Sequence, residues 1–176
     1  MLFRSEEDLA WVAVKNHRHG ARNQKAQFRR EITVEQVLSS APVAEPLRLL
    51  HCSPVSDGAA AVLLCPLDQA KRYTDRPVKI AASGLATGSI ALADREDPAY
   101  LDSVQRSAEQ AYQMANVGPR DIQVAEVHDC FAIAEICCIE ALGLVERGRG
   151  GPAAREGFTA LGGCVPVNTK IGRAHV

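Results

Sequence analysis

Hydrophobic and polar positions change period several times along this chain. Leu9, Val12 and Ala13 recur at helical spacing and predict a helix near the start. The stretch after it, Lys15 to Arg30, is polar and basic and reads as a helix–loop region. Thr33 to Leu38 is a short helix candidate: Thr33 can cap it, and Gln36 three residues on completes a capping box. Pro42 and Pro46 mark a turn-rich stretch. Ser56-Asp57-Gly58 is a turn signal feeding the apolar run Ala59 to Cys65, best read as a buried strand ended by Pro66. A helical turn or two follows over Asp68 to Thr74. A second strand is expected over Val78 to Ser83, closed by Gly84 and Gly88.

The clearest helix is Ser103 to Ala115, where Val104, Ala108, Ala111, Tyr112 and Ala115 share one face. Gly118-Pro119 stops it. Ile122 to Val127 reads as a strand running into His128-Asp129-Cys130. Phe131 to Leu142 is apolar nearly all round, broken only by Glu135 and Glu140, the pattern of a helix buried inside a larger body. Asp129 is placed to cap it and Gly143 to end it. Gly148 to Gly157 reads as a flexible, glycine-rich loop. Strands alternating with helices imply an α/β sheet with crossovers. A helix that is apolar on every side needs cover on every side, so much of its partner surface is expected outside this chain.

Composition narrows the class. The 176 residues suffice for one core, and 47% hydrophobic with 23% charged residues is ordinary for a soluble globular protein. A net charge of -1 argues against a generic nucleic-acid binder. No apolar run approaches the roughly 20 residues needed to span a bilayer. Met1 to Asp8 lacks the apolar stretch of a signal peptide, so a cytoplasmic protein is expected. None of the six cysteines forms a Cys-x-x-Cys pair, and the adjacent Cys137 and Cys138 would point about 100° apart on a helix. No metal site is expected, and most cysteines read as small buried hydrophobes.

Both ends look artificial. With suitable codons, Met1-Leu2-Phe3-Arg4-Ser5 and Ile171-Gly172-Arg173-Ala174-His175-Val176 back-translate to opposite strands of one common sequencing adapter. The expectation is natural protein from about Glu6 to Thr169, Lys170 a hybrid codon, and no function for His175.

The chemistry concentrates at His128-Asp129-Cys130-Phe131, a strand-to-helix junction of the kind that projects side chains into ligand crevices. A helix N-terminus adds positive potential there, and a histidine can hydrogen-bond a developing oxyanion. The alternative is a histidine satisfied within a polar junction. Asp129 reads as a helix cap or, less favourably, as a catalytic acid. Cys130 at a helix start could be a thiolate nucleophile beside His128, although positions i and i+2 share a face only while strand geometry lasts. The basic stretch, with six Lys/Arg and two His, could bind phosphates of a nucleotide-like ligand or be a solvated face. Gly148-Arg149-Gly150-Gly151 lacks the spacing of a dinucleotide fingerprint.

These residues resemble a family. Val14-Lys15-Asn16-His17-Arg18-His19-Gly20 with Ala26-Gln27-Phe28-Arg29 is similar to the loop region of sterol-carrier-type and archaeal-type thiolases. Cys52 to Ala61 resembles their Ser-Asp-Gly-Ala-Ala segment. Glu126-Val127-His128-Asp129-Cys130-Phe131, with Glu135 and Glu140-Ala141-Leu142-Gly143-Leu144, resembles the motif of the sterol-carrier branch. Gly162-Gly163 and Pro166-Val167-Asn168 resemble the lead into an Asn-x-Ser-Gly-Gly segment.

The resemblance implies a layered αβαβα fold, of which this chain would hold mostly the C-terminal half, incomplete. Residues 1–5 and 170–176 would be scars, 6–48 the end of the N-terminal half, and 49–169 a partial C-terminal domain. It implies coenzyme A thioesters as substrates, no separate cofactor, and Claisen condensation or thiolysis of a 3-ketoacyl-CoA. The nucleophilic cysteine would precede Glu6, and a Gly-His-Pro segment with a second cysteine would follow Thr169, so the chain alone is expected to be inactive. His128 would hold the oxyanion. Lys15, Asn16, His17, Arg18, Phe131 and Asn168 would contact substrate. A homo-oligomer is implied, with a small OB-fold partner protein in some relatives. Two other functions stay open: a retro-aldol lyase acting on steroid side-chain acyl-CoA, and a non-catalytic acyl-CoA or lipid-binding scaffold.

Overall fold

A computed structural model describes residues 5–55 and 57–169. The stretches expected to be adapter-derived, with His175, lie outside these residues, apart from Ser5. Helix α1 spans Glu6–Ala21, entered through a capping box between Ser5 and Asp8. It runs further than its apolar start suggests, because the basic stretch continues the helix instead of leaving it. Helix α2, Val34–Leu38, opens on the expected box: the Gln36 amide donates to Thr33 Oγ1 at 3.2 Å and the Thr33 amide to Gln36 Oε1 at 3.0 Å. The proline-rich turn folds as a hairpin, with β1 (Pro42–Ala44) antiparallel to β2 (Leu47–Arg48).

Helix α1 lies at the centre. One side packs Ala10, Ala13 and Val14 on Ile32, Val37 and Leu50. The other packs Leu9 and Val12 on Ala132 and Ile136 of α4 (Ala132–Ala141) and on Ala154 of α5 (Gly150–Arg155). Burial on both flanks explains why a helix with few strongly apolar residues is fixed so firmly. Helix α3, Asp102–Ala115, matches the predicted periodicity and ends one residue on at Asn116, whose left-handed φ of 54° makes the C-cap. Tyr112 on its apolar face donates to the Leu142 carbonyl at 3.0 Å. Gly143, at φ 72°, ends α4 as expected.

Three expectations change. The runs 59–65, 78–83 and 122–127 form no strand among the described residues; within them Ala125 alone makes a bridge, parallel, to Val167. Strand pairing needs neighbouring backbone, and an apolar run supplies only one partner. Asp129 does not cap α4: Phe131 occupies the N-cap, with no side-chain cap bond. The glycine-rich loop is partly α5. A Cβ on Gly150 would lie 2.9 Å from Ile136 Cγ2, and one on Gly151 2.6 Å from Asp8 Cβ, so these glycines let α5 press onto α4 and α1.

Candidate functional site

The site assembles around a carboxylate buried at the start of α4. Glu135 is fully buried, and its Oε1 pairs with Lys15 Nζ of α1 at 2.8 Å, Lys15 itself being 4% exposed. Its Oε2 accepts from Asn16 Nδ2 at 2.9 Å and from Asn168 Nδ2 at 3.0 Å. Lys15 Nζ also donates to the Val167 carbonyl at 2.9 Å. A buried ion pair is tolerated when its remaining donors and acceptors are met in this way; removing one partner typically costs about 3–5 kcal/mol.

Asn168 joins this carboxylate to the chain that bears His128. Its φ of 56° is left-handed, a conformation asparagine tolerates. All four of its polar groups are engaged. The amide N–H donates to the Ala125 carbonyl at 2.8 Å, and Oδ1 accepts the Val127 N–H at 2.8 Å. Nδ2 reaches Glu135, and the carbonyl accepts from His19 Nδ1 at 3.1 Å. His19 Nε2 in turn accepts the Leu161 N–H at 3.1 Å. A carbonyl can only accept and an amide N–H only donate, so the His19 ring is neutral with its proton on Nδ1. Burial, and then the Lys15 charge, hold its pKa below the usual histidine value.

His128 follows directly on Val127 and is exposed, while Asp129 is half-buried behind it. Burial, reinforced by the Glu135 charge, pushes the Asp129 carboxyl up to about 6, against the opposing pull of Lys15 and His128. Phe131 is 40% exposed at the head of α4, and its backbone bridges Cys52. The half-buried Cys130 lends its carbonyl to the Ser53 N–H at 2.9 Å. Burial, and then Cys130, raise the Cys52 thiol; burial raises Cys138 to about 11, so neither is a ready thiolate near neutrality.

The expected site residues therefore divide. Lys15, Asn16 and Asn168 come together, buried, around Glu135, and Asn168 also reaches Val127, the residue before His128. His17 is also buried, with Nδ1 bonded to the Arg30 carbonyl at 3.1 Å. Arg18 is exposed, as are Phe131 and His128, and lies 3.7 Å from Glu31. Lys15 and Asn16 turn inward because a carboxylate waits for them, and the heptapeptide 14–20 is central packing instead of a solvent-facing loop. Glu135 and His19 stand in the quoted motifs, but the sequence reading gave neither a role in the site. The signal for Glu135 was present, a lone carboxylate on an otherwise apolar turn. That for His19 was indistinguishable from its basic neighbours. An apolar groove of about 490 Å³, lined by Leu63, Leu64, Leu67, Tyr73, Val78 and Ile80, touches none of these residues. Among the described residues no cluster of His, Cys, Asp and Glu could hold a metal ion, and no helix is long and apolar enough to cross a membrane.

Comparison with known proteins identifies the family. Residues 84–174 match the family described as thiolase C-terminal domain-like, and residues 3–68 match the thiolase N-terminal domain. An acetyl-CoA acetyltransferase of Methanothermobacter thermautotrophicus is 51% identical over 168 residues, 96% of this chain and 44% of that protein. Sterol carrier protein 2 of Oryctolagus cuniculus is 33% identical over 94% of the chain and 31% of its own length. Among solved structures, the Ltp2-ChsH2(DUF35) aldolase superimposes with a TM-score of 0.86 at 28% identity, covering 96% of this chain and 46% of that one. The chain thus spans less than half the length of these relatives. Because one family covers more than half of its residues and a second thiolase domain covers much of the remainder, the chain belongs to the thiolases, and its fold is an incomplete α/β fold of that family.

Proposed function

We propose that the protein carrying this segment is an acyl-CoA C-acyltransferase, which forms a 3-ketoacyl-CoA by Claisen condensation or cleaves it by thiolysis. The 51% identity to an acetyl-CoA acetyltransferase over nearly the whole chain carries the reading, and the exposed His128 at the head of α4 supports it. An acyl group is held as a thioester on a cysteine outside these residues. In condensation a second cysteine outside these residues takes an α-proton from the second acyl-CoA, negative charge gathers on its thioester oxygen, and the carbanion attacks the acyl-cysteine, forming the C–C bond and releasing the first cysteine as thiolate. His128 donates a hydrogen bond to that oxygen, directly or through water; such a fixed donor lowers the barrier by stabilising charge only where it develops. Arg18 and Phe131, both exposed, contact the coenzyme A thioester. Lys15, Asn16, His17 and Asn168 serve it from within the fold by holding the elements in register. The protein works in the cytoplasm as a homo-oligomer and needs no cofactor beyond its thioester substrate.

Thiolysis of acetoacetyl-CoA by the full-length enzyme tests this. His128→Ala should lower kcat by about 10²–10³-fold, the usual cost of one oxyanion donor. A folded variant with undiminished kcat would remove His128 from the mechanism.

The likeness to an aldolase complex favours a second reading, a retro-aldol lyase for steroid side-chain acyl-CoA working with a small OB-fold partner. Stoichiometry separates the two: thiolysis consumes one free coenzyme A per cleavage, and a retro-aldol reaction consumes none.

A further inference from the structure

We propose that Glu135 is the positioning residue for His128: its buried carboxylate draws α1, α4 and the 165–168 segment onto one point and, through Asn168, fixes the backbone at Val127. The inference rests on the oxyanion role of His128. Lys15 and Asn16 hold Glu135 from α1, at 2.8 and 2.9 Å. Asn168 holds it from the 165–168 segment at 3.0 Å, and the Oδ1 of the same amide accepts the Val127 N–H at 2.8 Å. The Ala125–Val167 bridge, with Lys15 on the Val167 carbonyl, braces the same stretch two residues earlier. Between Glu135 and the residue preceding His128 stands one side chain, in van der Waals and hydrogen-bonded contact throughout. His128 itself is exposed, so its own side chain is not held by surrounding packing. The backbone from which it projects sets the position and direction of its Cβ, and so the range the ring can reach. Rigid support of that kind is what a donor aimed at a transient charge needs.

The carboxylate is the natural hub because one anion can take an ammonium and two amide donors at once. Glutamine at this position can still accept from Asn16 and Asn168. It cannot balance the buried Lys15 ammonium, whose realignment disturbs the Val167 carbonyl and the 165–168 segment with it.

The experiment is a double-mutant cycle in the full-length enzyme, measuring kcat and KM for thiolysis of acetoacetyl-CoA in wild type, Glu135→Gln, His128→Ala and the double variant. Displacing the donor by about 1 Å should cost kcat roughly 10²-fold with KM little changed. In the His128→Ala background the same change should cost less than about threefold, since no donor remains to be misplaced. A purely structural role predicts fewer folded molecules with normal kcat, or an equal loss in both backgrounds; either result overturns the proposal. Should Glu135→Gln not fold, Asn168→Gly is read in the same cycle. It keeps the left-handed backbone and the Lys15–Glu135 pair and removes the side chain that joins Glu135 to Val127, with its bonds to both; kcat within twofold of wild type, or an equal loss in both backgrounds, overturns the proposal. If His128→Ala alone leaves kcat unchanged, the oxyanion reading falls and the inference falls with it. If His128→Ala is impaired and the losses add, Glu135 alone is wrongly assigned.

Discussion

Three buried or half-buried residues contribute to the acid behaviour of this structure. His19 and His51 are buried, and burial lowers the pKa of each below the usual histidine value. Both resist protonation in the folded state. Below about pH 6.5 the unfolded chain binds protons that the folded chain refuses, so stability falls as pH drops from there toward the lowered values. Asp129 works in the opposite sense. Its folded value of about 6 lies above the ordinary 3.8, so the folded state holds a proton that the unfolded state has lost between those limits. The stability it contributes is present below 3.8 and lost as pH rises through about 6. Asp129→Asn should therefore stabilise the full-length protein by on the order of 1–2 kcal/mol at pH 7 and leave it unchanged near pH 4. Chemical denaturation at the two pH values checks this; an equal effect at both would mean that the carboxyl is not held protonated by its surroundings.

At the scale of elements, α1 is packed on both flanks and α5 is admitted to it by two glycines. A methyl group on Gly151 would meet Asp8 Cβ at 2.6 Å, where a side-chain rotation cannot clear it, since Cβ moves only with the backbone. Gly151→Ala should cost about 1–3 kcal/mol through overpacking, despite the better helix propensity of alanine. The midpoint of thermal unfolding reads this directly, and a rise in that midpoint would show that α5 does not sit as closely on α1 as described.

For the molecule as a whole, the segments without regular structure decide behaviour. Val62, Leu63, Leu64, Val78, Ile80, Leu85 and Ile90 are all strongly exposed. Leu63, Leu64, Val78 and Ile80 line one groove, and so many large apolar side chains are seldom left open to water in a monomer. These runs lie in a chain that spans 44% of a relative twice its size. The isolated 176-residue chain is expected to self-associate, to bind a hydrophobic dye, and to show no turnover of acetoacetyl-CoA. Size-exclusion chromatography and a thiolysis assay check this; a monomeric, active chain would contradict it.

Local chemistry was enough to read the capping box of α2, the face of α3, the all-round apolar character of α4 with its stop at Gly143, and the position of His128 shortly before a helix. Each depends on residues within a few positions of one another, where period and capping act directly. The membership of the thiolases was legible too, because spaced short motifs survive as sequence. What polar residues do when they meet across the fold was not legible. Lys15 and Asn16 carry the marks of a solvated basic face, and the partner that buries them lies 119 residues further on from Asn16. Nothing local distinguishes a lysine bound for water from one bound for a buried carboxylate; the difference is the desolvation of both charges, which only their meeting offsets. In the same way an apolar run specifies that it wants cover, while the neighbouring backbone alone decides whether it becomes a strand.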